Sequence, residues 1–120
     1  KTFIYVILLM LISNNSFGFF GKLKLECTSQ TTQISVGKEE EYVRSFEMIE
    51  KGDYLIINLP GEIRLKKTKD DDISLMGEDK STFTHVYFKV LKNSLLYSFT
   101  RTWTKDNPWT RIEKGKCKKL

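Results

Sequence analysis

From residue 22 onward, the apolar side chains of this chain recur at every second position, in short runs broken by turn residues. "KLKLECT" sets Leu23, Leu25 and Cys27 against Lys22, Lys24 and Glu26. "TTQISV" follows and stops at Gly37. "EYVRSFEMIE" places Tyr42, Phe46 and Met48 on one face, and Gly52-Asp53 ends it. "YLIIN" runs to Pro60-Gly61, "EIRLKK" alternates Ile63 and Leu65 with charge, and "DDDISLMGED" carries a further short run. "TFTHVYFKVL" aligns Val86, Phe88 and Val90. After the turn Lys92-Asn93-Ser94, "LLYSFTRTWT" aligns Leu95, Tyr97, Phe99 and Trp103. Asp106-Asn107-Pro108 turns the chain again, and "WTRIEKGKC" returns. A period of two places successive side chains on opposite faces of a strand, and β-branched and aromatic residues favour that state.

Short strands with frequent turn signals predict an all-β domain. Neighbours in sequence pair in space when their connections are short. The expected architecture is an antiparallel meander of about seven to nine strands, forming a curled sheet or small barrel. One segment competes for helix. In residues 38–51, Tyr42, Phe46 and Ile49 also fit helical spacing, and the glutamates favour it. The strand reading is preferred there.

The first eighteen residues, "KTFIYVILLMLISNNSFG", read differently. One cation precedes an apolar run from Phe3 to Ile12, and a polar stretch ending in small residues follows. That is the order of a secretory signal peptide, with Ser16 and Gly18 as the small residues before cleavage. The apolar run falls well short of the ~20 residues needed to span a bilayer as a helix. The expected organisation is a signal peptide over residues 1–18 and a single β-domain over 19–120, exported to the periplasm or secreted. Removing 18 of 120 residues leaves 102, enough for one core.

Export gives the two cysteines a meaning. Cys27 and Cys117 are the only ones in the chain, so only one disulfide can form, and it would tie the first strand to the last. A redox pair or metal site fits poorly, since the chain has no C-x-x-C and only one histidine. His85 reads as a surface or half-buried structural residue, because no nucleophile motif accompanies it. Asp70-Asp71-Asp72 reads as a solvated turn: Ile73, Leu75 and Met76 stand where a calcium loop needs ligands and a glycine. No catalytic residue, metal ligand or cofactor is expected.

Charge is uneven. Residues 38–53 hold three cations and six acids, whereas residues 99–120 hold seven cations and two acids. Lys114, Lys116, Lys118 and Lys119 read as a frayed, solvated C-terminus, and no nucleic-acid partner is expected. Arg101 is the informative cation. Alternation puts it on the face of Phe99 and Trp103, and a charge on an inward face must be paired, stacked or holding an anion. Glu47, Glu62 and Glu113 could pair with it; otherwise Phe99, Arg101 and Trp103 are the candidate ligand contacts, in a barrel mouth. The two tryptophans depend on their turn. A two-residue turn at Asp106-Asn107 would send Trp103 inward and Trp109 outward, whereas a five-residue loop would set them directly opposite. The two-residue turn is preferred.

The early "LEC" and the ending "YSFTRTWTKDNPWTRIEKGKC" resemble a group of short exported bacterial proteins with no assigned activity. These run aromatic-x-Ile/Phe-x-Arg, then a turn, then Gly-x-Cys. Phe99, Arg101, Gly115 and Cys117 match; Thr102-Trp103 departs from the Thr-Gly such proteins often carry. The resemblance implies an exported all-β domain and no particular activity. The function expected from the sequence is a non-enzymatic binding or interaction protein of the cell envelope, monomeric, whose partner is an envelope protein or an anionic ligand. The alternatives are a carrier of anionic amphiphiles using a barrel cavity and, more remotely, a hydrolase.

Overall fold

The computed structural model describes residues 23–59 and 61–120. The expected signal segment lies outside the described residues. Eight strands run in chain order: β1 (Lys24–Ser35), β2 (Lys38–Lys51), β3 (Tyr54–Leu59), β4 (Gly61–Asp70), β5 (Ser74–Lys80), β6 (Thr84–Leu91), β7 (Leu96–Trp103) and β8 (Trp109–Lys119). Each pairs antiparallel with the next, and β8 pairs with β1, so the meander closes into a barrel. Residues 38–51 are strand throughout. The chain is therefore the all-β barrel that its periodicity predicts.

One expectation needs correction. "KLKLECT" and "TTQISV" are not two strands but one, β1. The apolar alternation lapses because Ser29 and Thr31 continue the inward face as buried polar residues. The C-terminus is also not frayed. Lys114, Lys116 and Lys118 are outward residues of β8, which pairs with β1 on one side and, through Lys116, with β7 on the other.

Turn chemistry sets the register of the first hairpins. Ser35 pairs with Lys38 across Val36-Gly37, and Lys51 with Tyr54 across Gly52-Asp53. Gly37 and Gly52 have φ of 73° and 59°, the left-handed region that two-residue hairpins require and glycine adopts without strain.

An eight-stranded barrel is just wide enough for its own side chains to fill. Leu25, Cys27, Phe46, Met48, Leu55, Ile57, Leu65, Leu75, Phe88, Val90, Tyr97 and Phe99 are buried in one cluster. Phe46 is its hub, with ring centroids 5.4 Å from both Tyr97 and Phe99 and 6.2 Å from Phe88. One end of the cluster is capped by ionic contacts: Lys67 pairs with the buried Glu50 and, at 3.4 Å, with Asp70, which also meets Lys92 at 2.6 Å. Outward positions on β1 and β8 carry Lys24, Glu26, Lys114, Lys116 and Lys118, the reverse of the apolar belt on a barrel that spans a bilayer.

Closure depends on the β1–β8 seam. Cys27 and Cys117 are direct partners across it, with Cα atoms 4.0 Å apart, and they form a disulfide. The cross-link spans 90 residues of chain. Two residues away, Gly115 faces Ser29, and a Cβ on it would lie 2.1 Å from the Thr28 carbonyl oxygen and 2.7 Å from Ser29 Cα. Only glycine permits that approach, because both obstacles are backbone.

β2 is longer than its neighbour. Its residues 47–51 pair with β3, while residues 38–46 have no strand on that side among the described residues. The wall is therefore lower beside Tyr42 and Arg44 than along β1, β7 and β8.

Two outcomes follow for stability. The Cys27→Ser/Cys117→Ser double variant should lose up to about 4–5 kcal/mol, the loop entropy released by opening a cross-link of this span, measured by denaturant unfolding. Gly115→Ala should cost about 1–3 kcal/mol and lower the denaturation midpoint, because the seam must part to admit the methyl group.

Candidate functional site

The barrel interior changes character along its axis. The inward face of β8 reads Trp109, Arg111, Glu113, Gly115 and Cys117, and that of β7 reads Trp103, Arg101, Phe99 and Tyr97. The register pairs Trp103 with Trp109, Arg101 with Arg111 and Phe99 with Glu113. On β1 the inward positions beyond Cys27 are Ser29, Thr31 and Gln33, and on β2 those before Phe46 are Arg44 and Tyr42. Above the aromatic cluster, the barrel thus presents a polar layer with three arginines, one glutamate and two tryptophans.

The preferred two-residue turn is overturned here. Thr104–Pro108 form a five-residue connection, so Trp103 and Trp109 are direct cross-strand partners on the same face. The longer connection is held by local contacts: Trp103 Nε1 donates to the Asp106 carbonyl at 3.2 Å, and the Thr104 amide donates to the Phe83 carbonyl at 2.9 Å.

Arg101 and Arg111 face one another across β7 and β8, and like charges directly opposed on a sheet repel. Both guanidiniums lie over the Trp109 ring, 5.8 and 5.1 Å from its centroid. Arg111 also donates through Nε and Nη2 to Gln33 Oε1, at 3.2 and 2.9 Å, and the Tyr42 hydroxyl donates to the same oxygen at 3.3 Å. Among the described residues, no carboxylate lies within ion-pair distance of Arg44, Arg101 or Arg111. Burial, followed by the Arg111 and Arg44 charges, holds the Arg101 guanidinium below its ordinary pKa.

Glu113 lies beneath them and is fully buried. Its Oε1 accepts from the Ser29 hydroxyl at 3.4 Å and the Thr31 hydroxyl at 3.3 Å, while Oε2 has no hydrogen-bond partner. Burial raises its pKa above the ordinary value; Arg44, the Thr31 hydroxyl and Arg111 only partly oppose this. Burial likewise pushes the neighbouring Tyr97 hydroxyl up to about 12.

Above the layer opens a pocket of ≈ 480 Å³ lined by Arg101, Trp103, Trp109, Ile63, Val86 and other residues. Two rim carboxylates, Glu62 and Asp79, also border it, and Glu62 lies 3.9 Å from Arg64. Of the three contacts expected from sequence, Arg101 and Trp103 line this pocket. Phe99 does not; it is fully buried in the aromatic cluster. Of the three proposed Arg101 partners, Glu47 is exposed on the outside of β2, Glu62 is on the rim and Glu113 is inside.

His85 stands on an exposed position of β6 and bonds Glu78 through Nε2 at 2.7 Å. Among the described residues, no group of three or more His, Cys, Asp or Glu side chains is placed to hold a metal ion. Asp71 closes the turn before β5, with Oδ1 accepting from the Ile73 and Ser74 amides at 2.9 and 2.8 Å.

No protein-family model, curated protein or solved structure matches this chain. The chemistry of the mouth is therefore the guide to function.

Sequence reasoning missed Arg44, Arg111 and the role of Glu113. The signal was present in β8. A cysteine that bridges to the first strand across the seam fixes the inward face of its own strand. Stepping back by twos from Cys117 reaches Glu113, Arg111 and Trp109.

The buried glutamate makes a prediction whose sign is fixed. A carboxyl whose pKa is raised on folding binds more protons folded than unfolded, so stability falls as pH climbs above the ordinary glutamate value of 4.5. Glu113→Gln, which keeps an acceptor for Ser29 and Thr31, should raise Tm at neutral pH in low-salt buffer. The gain should shrink as pH falls into the carboxylate range. Destabilisation of the variant at neutral pH would show instead that ionised Glu113 is the counter-ion of the arginines.

Proposed function

We propose that this protein is an exported, non-enzymatic binding barrel whose mouth takes a small anionic ligand. The observation that carries the proposal is the cross-strand Arg101–Arg111 pair, joined by Arg44 and matched by no carboxylate within ion-pair distance among the described residues. Half-buried like charges are costly without a counter-charge, and a bound anion supplies one. Guanidinium forks suit oxygen-bearing anions, and the indoles and Ile63 give an apolar flank to whatever carries the charge. Export is supported by the buried disulfide, which suits an oxidising compartment.

The carrier reading, with an amphiphile's tail threaded down the barrel axis, has less support. Phe46, Phe88, Tyr97 and Phe99 occupy that axis and are buried against one another. A ligand with an apolar part would instead rest it on Trp103, Val86 and Ile63 at the rim.

The two tryptophans are the only ones in the chain and both lie at the mouth, so intrinsic fluorescence reports on the site directly. Titration with sulfate and with aromatic carboxylates should shift it saturably. Arg101→Met should weaken binding by about 10–100-fold, the worth of one charge-assisted contact. It should also raise the Tm of the anion-free protein by relieving the repulsion. Fluorescence unmoved by every anion, together with unchanged Tm in their presence, would reject the reading.

A further inference from the structure

Independently of any ligand, we propose that the open edge of β2 is a homodimer interface: residues 38–46 of two copies pair antiparallel about a two-fold axis at Tyr42, and each copy raises the low side of the other's mouth.

The hydrogen-bonding sense of β2 is fixed along its length. The Glu50 amide donates to the carbonyl of Leu23, its direct partner in the β1–β2 register, so the even-numbered residues of β2 exchange hydrogen bonds with β1. The odd-numbered residues turn their amides and carbonyls the other way. Over residues 47–51 that side meets β3; at Glu39, Glu41, Val43 and Ser45 it meets no strand among the described residues. No other run of strand with one side open is as long among the described residues. All four odd residues are exposed, and Val43 leaves an apolar side chain 69% open to water. An open edge is a template for another strand unless it is covered, bent or blunted.

The sequence of this edge selects its occupant. A two-fold axis perpendicular to the sheet pairs the strand with itself and keeps the inward face inward. Centred on Tyr42, the pairing uses the whole open stretch, from Lys38 opposite the second copy's Phe46 to Phe46 opposite the second copy's Lys38. The odd residues become the hydrogen-bonded pairs, Glu39 with Ser45 and Glu41 with Val43. Glu40 falls opposite Arg44 on both sides of the axis, and opposite charges directly across a ladder attract. Centring one residue earlier would set Glu41 against Glu41 and Lys38 against Arg44. Centring one residue later would set Glu39 against Glu47, whose edge is already taken by Asn58.

The pairing serves Arg44, for which no carboxylate lies within ion-pair distance among the described residues. Glu40 is exposed beside Lys38, 2.6 Å away, and the second copy's Arg44 would extend that pair into a cluster. Arg101 and Arg111 gain no counter-charge from this contact, so the anion site is kept. Tyr42 at the axis donates to Gln33, which also accepts from Arg111. The interface therefore borders each mouth, and the second copy's β2 supplies the wall that β3 is too short to provide.

Sedimentation of the disulfide-bonded mature protein over a wide range of concentrations tests this, and the wild-type chain should reach a dimer. Val43→Pro removes an amide from the open edge without touching the β1 ladder, and Val43→Glu sets like charges against the second copy's Glu41. Both should sediment as monomers with the wild-type strand signature in circular dichroism. Glu40→Arg alone and Arg44→Glu alone should each weaken the dimer by about tenfold, since both charge pairs are lost. Mixed in equal amounts, these two proteins should recover wild-type affinity, because the mixed dimer again opposes a cation and an acid in each pair. A wild-type chain that stays monomeric at every concentration, leaving the edge to some other strand, would overturn the inference. So would a dimer that survives both Val43 substitutions, or a mixture that associates no more tightly than its components. None of these results touches the anion reading, since Arg101 and Arg111 belong to one chain. Equally, tryptophan fluorescence unmoved by anions would leave the dimer standing. If Arg44→Glu fails to fold, the two Val43 variants decide the matter.

Discussion

Everything in this structure depends on the pairing of β1 with β8. The meander lays each strand beside its predecessor through short local turns, but the first and last strands meet only by closing the whole chain. That contact is the most expensive in loop entropy, and it is where the disulfide is placed. It is also where the backbones leave no room for a side chain, at Gly115 against Thr28 and Ser29. The seam fixes which face of β8 is inward. By doing so it brings Arg111 and Glu113 into the barrel.

The interior is then divided between two tasks. The apolar half fills the barrel with rings and aliphatic side chains that bury one another, and this supplies the driving force for folding. The polar half works against it. Two arginines are opposed across a pair of strands, and a carboxyl is buried with one oxygen unserved. Local violations of the rules that make a fold stable concentrate at functional sites. Here they lie in one layer, at one end, next to a pocket. The aromatic cluster beneath gives that layer a rigid floor, so its side chains are displayed from strands held in register on both sides.

Much of this was legible in the sequence, for a physical reason. Apolar residues at period two mark strands wherever one face is apolar, so the run from "EYVRSFEMIE" to "LLYSFTRTWT" could be read directly. The reading failed where the inward face ceases to be apolar. Ser29 and Thr31 look like solvent-facing positions until Glu113 is seen across from them, and the break they caused split one strand into two. The same effect hid Arg44 and Arg111. The hairpin register at Trp103 and Trp109 was misjudged because Asn107, with φ of 56°, belongs to a longer connection that Trp103 and Thr104 hold by bonds to Asp106 and Phe83. Local turn residues signal a reversal, but they do not count its length. Arg101 and Trp103 were found because the aromatic alternation of β7 carries them inward; Phe99 was carried with them and proved to belong to the core.

The division along the barrel axis has an evolutionary consequence. Each long strand spends one end on the core and the other on the mouth, so the residues that confer folding and those assigned to recognition by the proposed function are adjacent in sequence yet separated in space. Substitutions at 44, 101, 111 and 113 alter the charge and hydrogen-bonding pattern of the rim without removing any ring from the cluster. A descendant of this chain could exchange its arginines for other side chains and acquire a different chemical preference on an unchanged frame. The frame even favours such drift at position 101, because replacing Arg101 removes its repulsion with Arg111 while leaving the Arg111–Gln33 hydrogen bonds in place.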